Sequence, residues 1–331
     1  MQTGFQVAAW FITEVRVSCD TKMYKLKLPR YFFLLIVAAA ILLPAGSAVA
    51  VIKPRLGETA LMDTYHRNLS RLGTNSYGIP LVVESFEQDD RVQVDVYGIF
   101  DYSFSSVVNA LKVPANWCDI VSLHPNIKAC TYKHLPGAWL LSFYPGGKVY
   151  QPPDDSSQVV YRYTTVVQHE SYLDILLNAD SGPYGTRDHR MRFEALPING
   201  AKTFVHVSYA YSDSVALRLA TKIYFATLGR SKVGFTVVGT NRSGNPDYIR
   251  GPRGALERSA VRYFLAIQSF MHTLRYPEAN RFNMRISEWH DLTTVYRRQL
   301  FDLDKNDYIN FKTAEHNNQV ILQQRIGSGS R

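Results

Sequence analysis

The sequence predicts an α+β fold in which an antiparallel sheet packs on a long C-terminal helix, with two extra helices after it. Strand-like segments follow one another between residues 81 and 211 and are separated by turn sequences. The strongest helical periodicity of the chain covers Pro252–Leu274. Two more helical patterns, polar over much of their surface, come after Tyr276-Pro277.

Residues 1–50 carry the features of a secretory signal and are set apart from the fold. A basic stretch follows Met23, an apolar run covers Tyr31–Leu43, and the small-residue triplet Ala48-Val49-Ala50 ends the segment. The strongly apolar part is about twelve residues, fewer than the roughly 20 that span a bilayer, which favours cleavage over a membrane anchor. We expect translation to start at Met23, residues 1–22 to be an upstream extension, and cleavage to follow Ala50. The mature protein is then expected in the periplasm.

The composition is that of an ordinary globular protein, 46% hydrophobic and 20% charged, with 21 Tyr and 17 Phe. Tyrosine suits surfaces that are half apolar and half polar, such as the wall of a ligand cavity. The net charge is +9; five basic and two acidic residues in the first 50 supply +3 of it, which leaves +6. No basic run longer than two follows residue 50. Nucleic-acid binding is therefore disfavoured, and a weak attraction to anionic lipid head groups stays open.

The mature chain is expected to begin with an N-terminal helical segment over residues 51–77. Its apolar positions recur at spacings of four, four and three, namely Leu61, Tyr65, Leu69 and Leu72. Two strands are predicted next, Leu81–Phe86 and Val92–Phe100, and the second alternates with period two. A short helix is predicted over Phe104–Lys112.

Most of the sheet is expected after a compact segment, Pro114–Pro125. Six strands are predicted there: Lys128–Lys133, Trp139–Tyr144, Val159–Gln168, Tyr172–Ala179, Arg190–Leu196 and Thr203–Tyr211. Turn sequences connect them, which indicates an antiparallel meander rather than βαβ units. Ser212–Thr227 is predicted to be a helix, with Ser212 or Asp213 as its N-cap. Val233–Gly239 is predicted to be the last strand.

The C-terminal part of the chain is predicted to be helical. The helix over Pro252–Leu274 has an apolar stripe formed by Leu256, Ala260, Phe264, Ile267, Met271 and Leu274. About 23 residues span roughly 34 Å, enough to lie along a whole sheet. Residues 276–326 are expected to form a C-terminal helical extension with helices at Arg285–Leu303 and Lys305–Arg325. We expect these helices to pack on each other or on the outside of the domain, without closing a second core. Residues 327–331 are expected to be a disordered tail.

Three segments carry a family resemblance: the strand Thr203–Tyr211, the segment Lys232–Gly239, and Gly251–Phe264 at the start of the long helix. With the order of elements, they make residues 78–275 resemble the START-like (SRPBCC, Bet v 1-like) superfamily. The stretch from Trp117 to Cys130 is similar to one in exported proteins of Gram-negative bacteria. The resemblance implies a helix-grip fold, in which a curved antiparallel sheet wraps the long helix and leaves a lipid-sized cavity between them.

The resemblance further implies a periplasmic binding or carrier protein for a hydrophobic, lipid- or sterol-like ligand, in a pocket of a few hundred Å³ or more. The candidate ligand-binding residues are Tyr209, Tyr211, Tyr263, Phe264, Ile267, Arg258 and Arg262. For the arginines, the alternative is a solvated helix face that also holds Arg253 and Glu257. For Tyr263, the alternative is packing in the core. The sequence contains no CxxC, HExxH or Cys/His cluster, so neither a cofactor nor a metal is expected.

A periplasmic enzyme, a hydrolase or cyclase that uses the same cavity, is the alternative function. His169-Glu170 and Asp188-His189 are adjacent pairs on strands, so their side chains face opposite sides of the sheet. His206 alternates with valines and is expected on the face opposite to the tyrosines that follow it. No Gly-x-Ser-x-Gly sequence is present. These patterns favour binding over catalysis.

Two cysteines, Cys118 and Cys130, remain after the predicted cleavage. In an oxidising compartment an even pair of this kind predicts a disulfide. The alternatives are two buried free thiols, or one exposed thiol used for chemistry.

Overall fold

An open antiparallel sheet of eight strands forms the centre of the fold, with helices on both of its faces. A computed structural model describes residues 57–75, 77–227 and 229–328 of the chain. The start site, the signal and the cleavage site predicted within residues 1–50 lie outside the described residues, as does the end of the predicted tail.

The strands of the sheet are β1 (Leu81–Gln88), β2 (Arg91–Phe100), β3 (Ile127–Leu135), β4 (Ala138–Pro145), β5 (Val159–His169), β6 (Tyr172–Ser181), β7 (Arg187–Asn199) and β8 (Lys202–Ser212). Their order across the sheet is β1-β2-β8-β7-β6-β5-β4-β3, and every neighbouring pair is antiparallel. The pairing of β2 with β8 joins the first hairpin to the end of the meander, so β1 and β3 are the two edges.

The helices are α1 (Glu58–Gly73), α2 (Phe104–Leu111), α3 (Pro114–Val121), α4 (Val215–Ala226), α5 (Gly251–Thr273), α6 (Glu278–Thr294), α7 (Arg297–Leu300) and α8 (Lys305–Ser328). Strands β9 (Val237–Thr240) and β10 (Pro246–Tyr248) form a separate two-stranded ribbon. The predicted α+β class, with an antiparallel sheet, a long helix and extra C-terminal helices, is confirmed.

The long helix α5 packs against β1, β2 and β8 on the face of the sheet that carries the main core. Phe264 of α5 lies against Phe100, with ring centroids 5.1 Å apart. A Cβ atom at Gly98 would lie 2.4 Å from Cζ of Phe264, so glycine at this position lets the helix approach the sheet. This is the helix-grip arrangement that the resemblance implied.

Two predicted elements differ from the structure. The strand predicted over Val233–Gly239 is wrong for its first half, because the backbone N–H groups of Phe235 and Thr236 donate to the Glu257 carboxylate instead of to a strand. The helix predicted over Arg285–Leu303 is two helices, α6 and α7, because the backbone at Tyr296 leaves helical dihedral angles. The local pattern thus failed for the strand because of tertiary contacts, and for the helix because of a break in the backbone.

The C-terminal helices join the main core rather than form their own. Ile286, Trp289 and Tyr308 are buried in the same cluster as the sheet and α5. Helix α8 covers the edge strand β3 through glutamine side chains: Gln319 accepts from the backbone N–H of Cys130, and Gln323 bonds both backbone groups of Tyr132. Side-chain amides thus replace a ninth strand at an edge that would otherwise be open to pairing.

Helix α1 packs on the opposite face of the sheet, over a smaller apolar cluster that includes Leu61, Tyr97 and Phe204. His206 lies on this face, as its alternation predicted, and is buried between two carboxylates. Its Nε2 is 2.9 Å from Asp95 and its Nδ1 is 2.8 Å from Glu194. These hydrogen bonds raise the pKa of His206 to about 9 despite burial, so the imidazolium is a structural charge in this network.

The predicted disulfide is present in the structure. Cys118 of α3 and Cys130 of β3 are bonded, with their Cα atoms 4.9 Å apart. The separation falls in the range of about 4.4–6.8 Å that such bonds require. The bond ties α3 to the edge strand, close to the side of the sheet that α8 covers.

Candidate functional site

A cavity lies between the sheet and the N-terminal half of α5, with α4 over its other side. Its volume is about 120 Å³. Most of the wall is apolar, and Phe143, Val159, Met191, Leu217, Pro252 and Leu256 are among the side chains that line it. The position under the long helix agrees with the sequence prediction, but the cavity is smaller than the few hundred Å³ expected of a drug-sized pocket.

Five tyrosines also face this cavity: Tyr161, Tyr184, Tyr209, Tyr211 and Tyr263. The alternating positions of β8 bring Tyr209 and Tyr211 to the same side of the sheet, with ring centroids 5.7 Å apart. Burial raises the pKa of Tyr209 to about 12, so its hydroxyl stays protonated at neutral pH. The tyrosines give the cavity rings and hydroxyl groups rather than charges.

His189 belongs to a chain of hydrogen bonds that fixes its tautomer. The Thr186 hydroxyl donates to the Pro183 carbonyl oxygen, so Thr186 Oγ1 accepts from His189 Nε2 at 2.9 Å. His189 Nδ1 is then free to accept from the Tyr209 hydroxyl at 3.1 Å. Burial lowers the pKa of His189 to about 4, so the ring is neutral at neutral pH.

His124 and Ser259 form the arrangement in the wall that looks most like a catalytic pair, with Nε2 and Oγ 3.1 Å apart. However, His124 Nδ1 accepts from the backbone N–H of Asn126, so the proton of the neutral ring is on Nε2. Nε2 therefore donates to Ser259 and cannot take the proton of the serine. Burial, together with the positive charges of Arg262 and Lys312, lowers the pKa of His124 well below its usual value.

Asp213 is the acidic residue of the wall, and sequence reasoning missed it as a site residue. It is 4% exposed, and its Oδ1 is buried without a hydrogen-bond partner. The sequence offered Ser212 or Asp213 as the N-cap of α4, but Ser214 is the cap, since its hydroxyl accepts from Leu217 N. Asp213 is thereby left to face the cavity.

The structure divides the predicted ligand-binding residues into two groups. Tyr209, Tyr211 and Tyr263 line the cavity. Phe264 and Ile267 are buried in the main core, and Arg258 and Arg262 are buried outside the cavity wall as the structure describes it. The prediction that they touch the ligand has no support in this geometry, because α5 turns these positions towards other helices and the sheet.

The alternative interpretation, a solvated helix face, is wrong for Arg258 and Arg262, which are both buried. Arg262 bonds Asp302 at 2.5 Å and the Leu300 carbonyl oxygen at 3.3 Å, and Lys148 bonds the same aspartate at 2.7 Å. Arg258 is 8% exposed and lies near the Val233 carbonyl oxygen. The two cations hold Asp302 ionised and its pKa far below the usual range. This cluster joins α5 to the loop before α8.

Within the described ranges, no group of three or more His, Cys, Asp or Glu side chains is placed to hold a metal ion. None of the described helices is both long and apolar enough to cross a membrane.

Comparison with known proteins finds likenesses among solved structures. A human StAR-related lipid transfer protein 5 aligns at 8% identity over 66% of this chain and 98% of its own, with a TM-score of 0.33. A START superfamily protein from Mycobacterium smegmatis aligns at 13% identity over 41% of this chain and 88% of its own, with a TM-score of 0.29. The Zhui aromatase/cyclase from a Streptomyces species aligns at 10% identity over 42% of this chain and 86% of its own, with a TM-score of 0.30. No protein-family model and no curated protein sequence matches the chain.

Proposed function

We propose that the mature protein is an exported, periplasmic carrier or sensor that binds an apolar ligand in the cavity under α5. One observation carries the proposal: the cavity is lined mainly by aliphatic and aromatic side chains, and its two histidines are neutral and internally hydrogen-bonded. A wall of this kind favours burial of apolar surface over acid–base chemistry. The hydrolase or cyclase alternative gains no catalytic pair from the described residues of the wall.

Filling the cavity is expected to remove the ligand. Ala255 lines the wall on α5, so Ala255→Phe places a ring in the cavity without deleting any contact. Organic extraction of the protein purified from its native host, followed by mass spectrometry, should recover an apolar ligand from the wild type. We expect Ala255→Phe to lower the recovered amount by about ten-fold or more.

The matched control is Leu69→Phe, which enlarges a half-exposed side chain on α1, away from the cavity. It should leave the ligand content unchanged. Thermal unfolding of both variants checks that each is folded. An empty wild-type protein, or equal ligand content in Ala255→Phe and the wild type, would refute the carrier proposal.

The proposed location rests on the signal pattern in residues 1–50. N-terminal sequencing of the protein from the native cell envelope should begin at or near Val51. A mature chain that keeps residues 1–22, or protein found in the cytoplasmic fraction, contradicts both the export and the start-site proposals.

We also propose that the carrier exchanges its ligand at an anionic membrane surface, through the outer side of α4. Val215, Leu219 and Ile223 form an apolar stripe on this helix and are 58–81% exposed. The helix has two basic residues and no acidic residue, which suits anionic head groups. Its inner side contributes Leu217 and Thr221 to the cavity wall, so the stripe lies directly over the ligand site.

The double replacement Leu219→Asp/Ile223→Asp tests this contact. The protein should sediment with vesicles of phosphatidylglycerol and phosphatidylethanolamine, and the variant should bind roughly ten-fold more weakly or worse, because two apolar side chains become anions. Ile321→Asp, at a half-exposed position on α8, is the control and should bind like the wild type. Equal sedimentation of the double variant, or no sedimentation of the wild type, would rule out the α4 contact.

A further inference from the structure

The cavity wall contains a carboxylate oxygen, Oδ1 of Asp213, that the fold leaves without a hydrogen-bond partner, and this oxygen bears on the chemistry of the ligand. His124, His189, Thr186 and Tyr209 all have partners within the protein. Among the wall residues that the structure describes, Asp213 alone has a buried side-chain atom without a hydrogen-bond partner. A buried carboxylate oxygen without a donor is costly, so a ligand that supplies one gains affinity.

The charge of the wall points in the same direction. The described lining of the cavity contains no lysine or arginine, and its two histidines are neutral because burial lowers their pKa values. Among the described side chains, Arg218 on α4 is a nearby cation, but its Nε is itself buried and unpartnered. Within the part of the chain that the structure describes, the ionised form of Asp213 thus gives the wall a negative charge whose Oδ1 has no donor.

The volume of the cavity and its aromatic lining limit the apolar part of a cationic ligand that the cavity can hold. A volume of about 120 Å³ is slightly less than the roughly 150 Å³ of an apolar cavity that holds benzene, so the buried part of the ligand is about one ring in size. Tyr211, which precedes Asp213 by two residues in the chain, is stacked on His189 at a centroid distance of 5.5 Å. Aromatic faces attract cations in addition to the carboxylate.

We propose that the cavity selects a small amphipathic cation, with a primary ammonium group on Asp213 and an apolar body about the size of one aromatic ring. The ammonium donates to the unpartnered Oδ1 and balances its charge, and the ring fills the space under α5. This inference rests on the proposed ligand-binding function and names the ligand class of the same cavity.

The test uses three probes that share one ring and differ in the polar group: 2-phenylethylamine, 2-phenylethanol and phenylacetate. Titration calorimetry of the full mature chain at neutral pH should show the amine binding at least about ten-fold more tightly than the alcohol. Phenylacetate should bind most weakly of the three, because its carboxylate meets that of Asp213.

Asp213→Asn should abolish the preference for the amine and leave the affinity for the alcohol within about three-fold. Asp213→Glu keeps the charge and should keep the preference, which guards against a general effect of changing this position. Asp90→Asn is the matched control, since Asp90 is a half-exposed acid whose backbone oxygen accepts from Asp213 N. It should leave all three affinities unchanged.

The affinity for the amine should also depend on pH in a defined direction. Burial raises the pKa of Asp213 to about 6, Glu87 and Asp90 act in the same direction, and Arg218 opposes them. Amine binding should therefore strengthen as the pH rises through about 6 and level off above 7, while alcohol binding stays flat. Asp213→Asn should lose this dependence.

The outcomes separate this inference from the proposed function. If the alcohol or phenylacetate binds as tightly as the amine, or if Asp213→Asn keeps the preference, the ammonium assignment is overturned and an apolar site remains. If none of the probes binds although a ligand is extracted and depends on Ala255, only the ammonium assignment fails. If no probe binds and no ligand is extracted, both fail.

Discussion

Replacing Glu315 with glutamine is expected to lower the free energy of unfolding by about 3–5 kcal/mol, because it leaves two buried cations without their counterion. Glu315 of α8 is 3% exposed, and its two oxygens are each 2.7 Å from a lysine, Lys128 of β3 and Lys312 of α8. Both lysines are also buried. Desolvation already lowers the pKa of Lys128 to about 8 with the glutamate in place. The glutamine keeps the shape of the side chain and removes the charge that holds both ammonium groups.

Urea denaturation of the mature protein measures this loss. The matched control is Asp291→Asn, which breaks an ion pair of the same kind to Lys305 at 2.6 Å, but on the exposed surface. Exposed pairs contribute about 1 kcal/mol or less, so the control should differ little from the wild type. A loss of similar size in both variants would show that the Glu315 cluster is not desolvated.

The elements predicted from the sequence were those whose signal is local. Period-two alternation placed the strands from β1 to β8 within a few residues, because one face of each lies on the core. The same alternation put His206 on the face opposite to Tyr209. Helical periodicity found α5, and the count of cysteines found the disulfide. The strands, the helix and the orientation of His206 depend on residues that are close in sequence. The disulfide was predicted because only two cysteines remain after the predicted cleavage.

The side chains that were misjudged depend on partners far away in the chain. The spacing of Glu257 and Arg262 is typical of a solvated helix face. In the structure both are buried, because Glu257 accepts from the backbone of Phe235 and Arg262 bonds Asp302, which lie in other segments. Asp213 was hidden for another reason. Ser212, Asp213 and Ser214 are all good N-cap residues, and local sequence cannot say which one caps the helix and which are left to face a cavity. A run of three such residues is nonetheless a signal that some of them have other roles.

The size of the cavity could not be predicted, because it depends on how α4 and the turn at Pro183–Gly185 pack over the sheet. Helix α4 lies between β8 and β9, where a simple meander of strands would have none. It covers one side of the cavity and brings Leu217 and Thr221 into the wall. The sequence predicted a cavity under α5, whereas the residues of α4 and of the turn that complete its wall could not be placed from sequence.

Replacing Glu257 with alanine is expected to lower the free energy of unfolding by about 4 kcal/mol or more, because it leaves four donors without an acceptor, two of them on the buried residues Ser85 and Phe235. Glu257 has no exposed surface. Its carboxylate accepts from the Ser85 hydroxyl at 2.6 Å, and from the backbone N–H groups of Phe235 at 2.6 Å and Thr236 at 2.9 Å. The Thr236 hydroxyl is the fourth donor, at 2.7 Å. One side chain thus holds the edge strand β1 and the segment before β9 to α5.

Urea denaturation should order three variants by the number of hydrogen bonds that each one breaks. Ser85→Ala removes one donor and should cost about 1–2 kcal/mol, and Glu257→Ala should cost several times more. Glu87→Ala replaces an exposed glutamate on β1 and should lie within about 0.5 kcal/mol of the wild type. If Glu257→Ala costs no more than Ser85→Ala, water replaces the carboxylate, and the junction of β1 with α5 does not depend on Glu257.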